Sequence, residues 1–434
     1  MSEPVNSPAV MADSMLEAER FSAWVLAMVV AVAVFFQVHL SLPGGQINLN
    51  LADPFAILAL AAVSIDLLFS WQLPAWRIRR FNCTLGVVSL LLLVGFMHGW
   101  QEIGVTQWAL GGRLFGWLVL LGYLSVGYLL VANAGAHGLR RFAETLIATA
   151  VIVVLLQVVL RFLEKFGVIT GARLLINFQG YAGNRNAFAF QLLTCMGLLL
   201  GYSQVYARRN IGVQRQARPW IFSLLLGIVL TALVWSGSRA GLLVGVVLLA
   251  FSWFSRLADR RMLSGSVIFS FLFWSGTGLL DQVDFSAFNT EGGAKTLVFT
   301  QVILSTTGSA VEHSETVLRG LEMWWQSPVW GAGLGVFIAK NSMLASGYSL
   351  IHSTPVWILA ELGLIGGSVF GWMFFLLARH AIRFGRVQSA RRALLLLLLA
   401  FALFGLFHEI FYQRIFWLVL GALLARPFAA RLNV

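Results

Sequence analysis

The residues Val283-Asp284-Phe285-Ser286-Ala287-Phe288-Asn289-Thr290 open, and Tyr348-Ser349-Leu350-Ile351-His352-Ser353 close, the one long internal stretch that a membrane could not hold, about 282–353. On both sides of it the chain consists of apolar runs joined by short turns. That contrast decides the fold. Of 434 residues, 59% are hydrophobic and only 11% charged, and the mean hydropathy is +0.82. A soluble domain is about one-quarter charged, so the chain reads as a polytopic membrane protein. The 42 glycines and 16 tryptophans fit, because small residues let helices approach closely and Trp favours the interface.

A helix needs about 20 apolar residues to cross the bilayer core. Twelve runs qualify as spans: 22–41, 53–71, 84–99, 113–132, 142–161, 186–206, 219–236, 239–255, 262–280, 354–378, 393–412 and 414–426, the last being short. The runs lack period-two alternation, and a lipid-exposed backbone is satisfied only in a helix or a closed barrel. The expected fold is therefore all-α, a single membrane domain over 1–434 with 282–353 as its large external loop. The first twenty residues carry four acidic groups and no basic leader, so the first apolar run is expected to be retained as a helix.

Basic residues set the orientation. Arg20, the turns from Arg77 to Arg80, from Arg140 to Arg141, from Arg208 to Arg218, from Arg256 to Arg261 and from Arg379 to Arg392, and the terminal Arg426 and Arg431 hold 20 of the 30 Lys and Arg residues. With twelve spans they all fall on one side, with both termini in the cytoplasm. This explains the net charge of +12 without a nucleic-acid partner. The other side holds Arg113, Arg161, Lys165, Arg173, Arg185, Arg239, Lys295, Arg319, Lys340 and Arg414, each against the usual bias. Cys83 and Cys195 lie in or beside apolar spans and form neither a metal motif nor an obvious disulfide framework.

Inside the long stretch, SETVLRGLEMWWQS predicts an amphipathic helix capped by Ser314, with Glu315 in its first turn, Arg319 in its middle and Pro328 after its end. Gly331, Gly333 and Gly335 alternate in GAGLG. They are either a tight backbone path near a ligand or a flexible turn, and no strand precedes them as a dinucleotide fingerprint would require. His352 stands at the water interface before a helix that Pro355 begins well. A helix N-terminus favours the neutral imidazole that a general base needs. Glu361 lies inside the following span, two and a half turns on, and is expected to pin a neighbouring helix or loop. An intramembrane carboxylate needs a partner.

Three other features reach the same external level. The GNRN turn carries Arg185, the tight SGSRAG turn carries Arg239, and FHEIFYQR carries His408, Glu409, Tyr412, Gln413 and Arg414. On a helix, His408 and Tyr412 would share a face, as would Glu409 and Gln413. A single such arginine is adequately explained by snorkelling or an internal ion pair. Several of them with a histidine under one polar loop suggest a ligand. Guanidinium forks suit phosphate and diphosphate oxygens, and a lipid diphosphate sits at that depth. The chain has no D-x-D or H-E-x-x-H, and Asp281 and Asp284 are a weak pair, so the chemistry is expected to need no metal or other cofactor.

These residues resemble the O-antigen ligase family. The resemblance lies in the SGSRAG turn, the Arg- and Trp-bearing helix in a large external loop, and the segment HSTPVWILAELGLIGG, where Ser353 stands in a place asparagine commonly takes. It implies a C-type glycosyltransferase architecture, with the large periplasmic loop between helices 9 and 10. It further implies transfer of a polysaccharide from undecaprenyl diphosphate to the lipid A–core oligosaccharide, at the periplasmic face of a bacterial inner membrane. By the resemblance, His352 matches the general base, and Arg239 and Arg319 match the arginines on the diphosphate. Arg185, Glu361, His408, Glu409, Tyr412 and Arg414 join the candidates on position alone. An O-antigen polymerase or a protein O-oligosaccharyltransferase shares this architecture. A secondary transporter is the rival of a different class, with Asp66 as its deep ionisable group.

Overall fold

The structure, a computed structural model, describes residues 25–26, 28–42, 45–71, 73–165, 178–208, 219–276, 307–342, 350–383 and 389–426. The polar N-terminus and the start of the long loop, with Asp281, Asp284 and Lys295, lie outside the described residues. The chain is mostly helical. A hairpin of β1 (Gln37–Leu42) and β2 (Gly45–Asn50) leads into α1 (Asp53–Ser70) and α2 (Phe81–Ile103). A π-helical turn, Trp108–Phe115, runs into α3 (Gly116–Lys165), followed by α4 (Arg185–Arg208), α5 (Pro219–Trp235), α6 (Arg239–Phe254) and α7 (Arg260–Gly276). Then come α8 (Thr307–Gln326), α9 (Val336–Ser342), α10 (Thr354–Arg383), α11 (Ser389–Gly405) and α12 (Arg414–Leu424).

Among the described residues, six helical segments are long and apolar enough to cross a membrane: Asp53–Ser70, Phe81–Ile103, Trp108–Ala132, Gly138–Leu160, Arg185–Ser203 and Thr354–Ile382. Trp220–Trp235, Arg239–Phe254 and Arg414–Leu424 are shorter apolar helices. The remaining expected spans fall on α7 and α11, of 17 residues each, and on the partly described 22–41.

Three expectations are corrected. The span 22–41 does not run to its end as helix, because β1 begins at Gln37 and pairs antiparallel with β2, from Gln37 opposite Asn50 to Leu42 opposite Gly45. The physical signal is in the sequence. Val38, Leu40 and Leu42, then Ile47 and Leu49, alternate with polar residues, the period of a strand. Arg140 and Arg141, expected in a turn, are helical, at the start of the second of the two candidate membrane segments that share α3, Trp108–Ala132 and Gly138–Leu160. Arg140 there pairs with Glu144 one helical turn on, at 2.8 Å. The helix expected to start at Ser314 begins earlier, at Thr307.

The chain forms two compact units. The first holds the described residues of Met1–Arg79, Val119–Thr149 and Arg414–Val434. In it α12 is buried from Ile415 to Leu424, and Gly127 of α3 meets it so closely that an added Cβ would lie 2.1 Å from the Leu418 carbonyl oxygen. Gly421 faces Leu124 at the same distance. Asp53 Oδ1 accepts from the Tyr123 hydroxyl at 2.8 Å, and Oδ2 accepts from the Asn50 amide at 2.8 Å. Arg414 forks onto the same carboxylate at 2.8 and 3.1 Å. A carboxylate this buried is tolerated because its lone pairs are matched and its charge is paired.

The second unit holds the described residues of Arg80–Leu118 and Ala150–Gln413. There α5 lies along α7, with Thr231 Oγ1 within 2.9 Å of Ser270 Oγ. Helix α4 lies along α11, where Gly201 leaves no room for a Cβ against Ala393.

Candidate functional site

The second unit brings three histidines from three elements together. His313 lies on α8, His352 in the segment entering α10, and His408 in the turn after α11. The rings of His313 and His352 stack with centroids 3.7 Å apart and 4° between planes. His408 stands edge-on to His313 at 5.6 Å and 89°. One ring nitrogen from each of the three lies within 4.8 Å of the others.

The positions have a local cause. α10 begins at Thr354, with Pro355 in its first turn, which leaves His352 just outside the helix. Thr354 is buried, and its hydroxyl donates to the His408 carbonyl at 3.0 Å while accepting from the Ile410 amide at 3.0 Å. This one side chain ties the His408 turn to the helix that His352 precedes. Because α11 stops at Gly405, His408 lies in the turn that follows the helix. Burial first, then the neighbouring His313, His352 and Arg185, push its imidazole down to about 3. His408 is therefore neutral across the physiological range.

Arg185 opens α4 and belongs to the same neighbourhood. Its guanidinium acts on His408, and a Cβ placed on Gly237 of the SGSRAG turn would lie 3.9 Å from its NH1. The GNRN and SGSRAG turns are joined directly, by the Ser238 hydroxyl donating to Asn186 Oδ1 at 2.8 Å. Ser238 also caps α6, accepting from the Gly241 amide at 3.2 Å, a standard N-cap role. Arg239 is the first residue of that helix and is half-buried.

Arg319 is engaged within α8 and α9. It donates to Asn341 Oδ1 at 2.9 Å and pairs with Glu315, one turn back. The pair is largely exposed, at 40% and 54%, and exposed i,i+4 pairs contribute only about 0.3–0.5 kcal/mol.

The shared helical faces expected of FHEIFYQR are not present, because the helix ends at Gly405 and residues 406–413 form a turn. Glu409 meets Arg113 rather than Gln413, accepting a fork at 2.7 and 3.1 Å. Tyr412 donates to the Arg113 carbonyl at 3.2 Å. Arg113 is 3% exposed and lies 4.4 Å from the Trp357 ring centroid and 4.9 Å from that of Tyr412. Glu409 and Tyr412 are thus parts of a buried cation cage, and Arg414 is committed to Asp53 in the first unit.

Glu361 holds a loop. Its Oε1 accepts from the Gly335 amide at 3.0 Å and its Oε2 from the Trp357 indole at 2.7 Å. α10 breaks at Gly363, with φ 64° and ψ −163°. The break frees carbonyls at Ala360 and Glu361, which accept from Ala332 and Gly333 at 2.9 and 3.0 Å. Gly331, Gly333 and Gly335 all have φ between 74° and 98°, and an added Cβ at Gly333 would sit 2.3 Å from the Gly99 amide nitrogen. The glycine run is neither a flexible turn nor a cradle open to a ligand. It is wedged against the chain's own helices.

Sequence reasoning missed His313. It lies in the middle of an amphipathic helix, and no spacing in the sequence relates it to His352 or His408. The only available signal was compositional, since the chain has just seven histidines.

No protein-family model matches the chain, and no curated protein matches it either.

Proposed function

We propose that the protein is a glycosyltransferase of the O-antigen ligase type, with twelve membrane spans, both termini in the cytoplasm and its site at the periplasmic face of a bacterial inner membrane. The donor is a polysaccharide on undecaprenyl diphosphate and the acceptor is lipid A–core oligosaccharide. The observation that carries this reading is His352 in an imidazole cluster beside Arg185 and the turn that bears Arg239. A base adjoining guanidinium groups is what displacement of a diphosphate requires.

In the reaction, His352 takes the proton of an acceptor sugar hydroxyl. The oxygen forms a bond to the anomeric carbon of the donor sugar as the carbon–oxygen bond to the diphosphate breaks, with inversion. Undecaprenyl diphosphate leaves with the bonding electrons. Arg185 and Arg239 offset the charge that develops on it. Arg319 joins them when the diphosphate displaces Glu315, an exchange that the weakness of an exposed pair permits. The lipid diphosphate is already an activated leaving group, so no nucleotide enters.

The test is reconstitution of the purified protein with lipid-linked polysaccharide and lipid A–core, followed by product mass. The expected product is polysaccharide on lipid A–core. Longer chains still on the lipid carrier would make the protein a polymerase, and glycan on protein would make it a protein O-oligosaccharyltransferase. His352→Ala is expected to lower turnover by about 10²-fold or more, and near-normal turnover would remove the base assignment. Normal donor binding and reaction in Arg239→Ala would remove that residue from the diphosphate site.

The break in α10 is the form a secondary transporter takes at its ion site. Here the freed Ala360 and Glu361 carbonyls bond to the 331–335 loop, which leaves them less able to coordinate an ion. Transport without a covalent product would favour that reading.

A further inference from the structure

We infer that His313, His352 and His408 form a binding site for one divalent transition-metal ion of the zinc class, and that this ion inhibits the reaction proposed above by taking the lone pair of its base. The inhibition half rests on that reading; the binding half does not.

Seven histidines are spread through the chain, and three converge here with ligand atoms inside 4.8 Å. Imidazole nitrogens bind zinc at about 2.0–2.1 Å in a roughly tetrahedral set, so the three need to close by about an ångström. The ligand chemistry selects the ion. Neutral nitrogen suits zinc, nickel, cobalt and copper, whereas magnesium and calcium take oxygen, and the cluster contains no carboxylate among the described residues. Three protein ligands leave a fourth position open. Arg185, which acts on His408, disfavours added positive charge and so favours an anion, such as hydroxide, in that position.

Geometry defines what has to move. An ion lies in the plane of each imidazole that binds it. The His313 and His352 planes are 4° from parallel with centroids 3.7 Å apart, so one ring turns about its side-chain bond when the ion enters. Both rings are half-buried, neither being fully enclosed. His408 is the fixed corner, because Thr354 holds its backbone. The ligands come from α8, the entry to α10 and the turn after α11, so the ion clamps three elements at once. His352 cannot bind the ion and accept an acceptor proton through the same nitrogen, and this exclusion is the physical basis of inhibition.

The experiment uses the full chain in detergent, purified without a histidine tag and stripped with a chelator. Zinc chloride is titrated by calorimetry, with magnesium chloride as the contrast. The expected result is one zinc per chain and no magnesium. His313→Ala is expected to weaken zinc at least tenfold, and whatever transfer activity it retains is expected to be insensitive to zinc. His313→Cys, which supplies a thiolate ligand, is expected to restore binding and so separates lost ligation from lost folding. With cobalt, the visible spectrum is expected to show the intense bands of four-coordinate ligation in the parent and not in His313→Ala. No zinc binding by the parent, or equal binding by His313→Ala, would overturn the site. Zinc bound without any effect on transfer would overturn the inhibition. Stoichiometric zinc in a protein with no transferase activity would keep the site and sink the function proposed above.

Discussion

Arg113 shows how little a residue's level in the membrane says about its role. It was one of ten basic residues on the disfavoured side, and the structure gives it a fork to Glu409 and three aromatic neighbours, Trp108, Trp357 and Tyr412. Removing one partner of a buried pair leaves the other charge uncompensated, at a cost of about 3–5 kcal/mol. Arg113→Ala is therefore expected to lower the detergent-solubilised Tm sharply. The double change Arg113→Met with Glu409→Leu is expected to recover much of the loss, because it removes both charges. If Arg113→Ala melts like the parent, the cage is not structural. Glu361 makes the same point. Glu361→Leu leaves the Gly335 amide and the Trp357 indole without their acceptor, and a buried unsatisfied donor costs about 1–3 kcal/mol. The check is again Tm, with transfer activity read separately, since these residues brace the site and do not line it.

At the scale of elements, the broken helix α10 and the glycine run are one device. Gly363 interrupts the helix, and the 331–335 loop supplies the hydrogen bonds that the interruption removes. A buried backbone group left unsatisfied costs about 1–3 kcal/mol, so each half supports the other. Gly333→Ala places a Cβ at φ 98° and 2.3 Å from the Gly99 backbone. It is expected to raise hydrogen exchange at the amides of Ala332, Gly333 and Leu334 and to lower Tm. Unchanged protection there would show that the loop tolerates separation from α10. The crossing of α3 and α12 is similarly intolerant. Gly421→Val is expected to destabilise by about 1–3 kcal/mol, the usual cost of overpacking, measured by thermal melting. The elements the sequence misjudged were those with two readings. The stretch 37–50 is apolar enough for a helix end but alternates like a strand, and the residues around Arg140 are polar enough for a turn yet continue α3.

At the scale of the whole molecule, the twelve-span topology proposed above makes a direct prediction. In a background with Cys83 and Cys195 replaced, a cysteine at Arg256 is expected to react with an impermeant maleimide only after the cytoplasmic side is opened. One at Gln326 is expected to react from outside. The reverse pattern would invert the topology and move the histidines to the cytoplasm. By itself the sequence determined the class: apolar runs of spanning length, almost free of charge, form helices because only a helix satisfies its own backbone within one segment. It also located His352, Arg185 and Arg239 as candidates, since charge at the end of an apolar run is costly and therefore conspicuous. Only the tertiary structure decided which polar groups meet. Arg319 went to Glu315 and Asn341, Arg414 to Asp53, and Glu409 to Arg113, while His408 joined His352 and the overlooked His313. A side chain's partner depends on which elements pack together, and that is set by the shape of glycine-lined contacts such as Gly201 on Ala393, a property of surfaces in space that no spacing along the chain encodes.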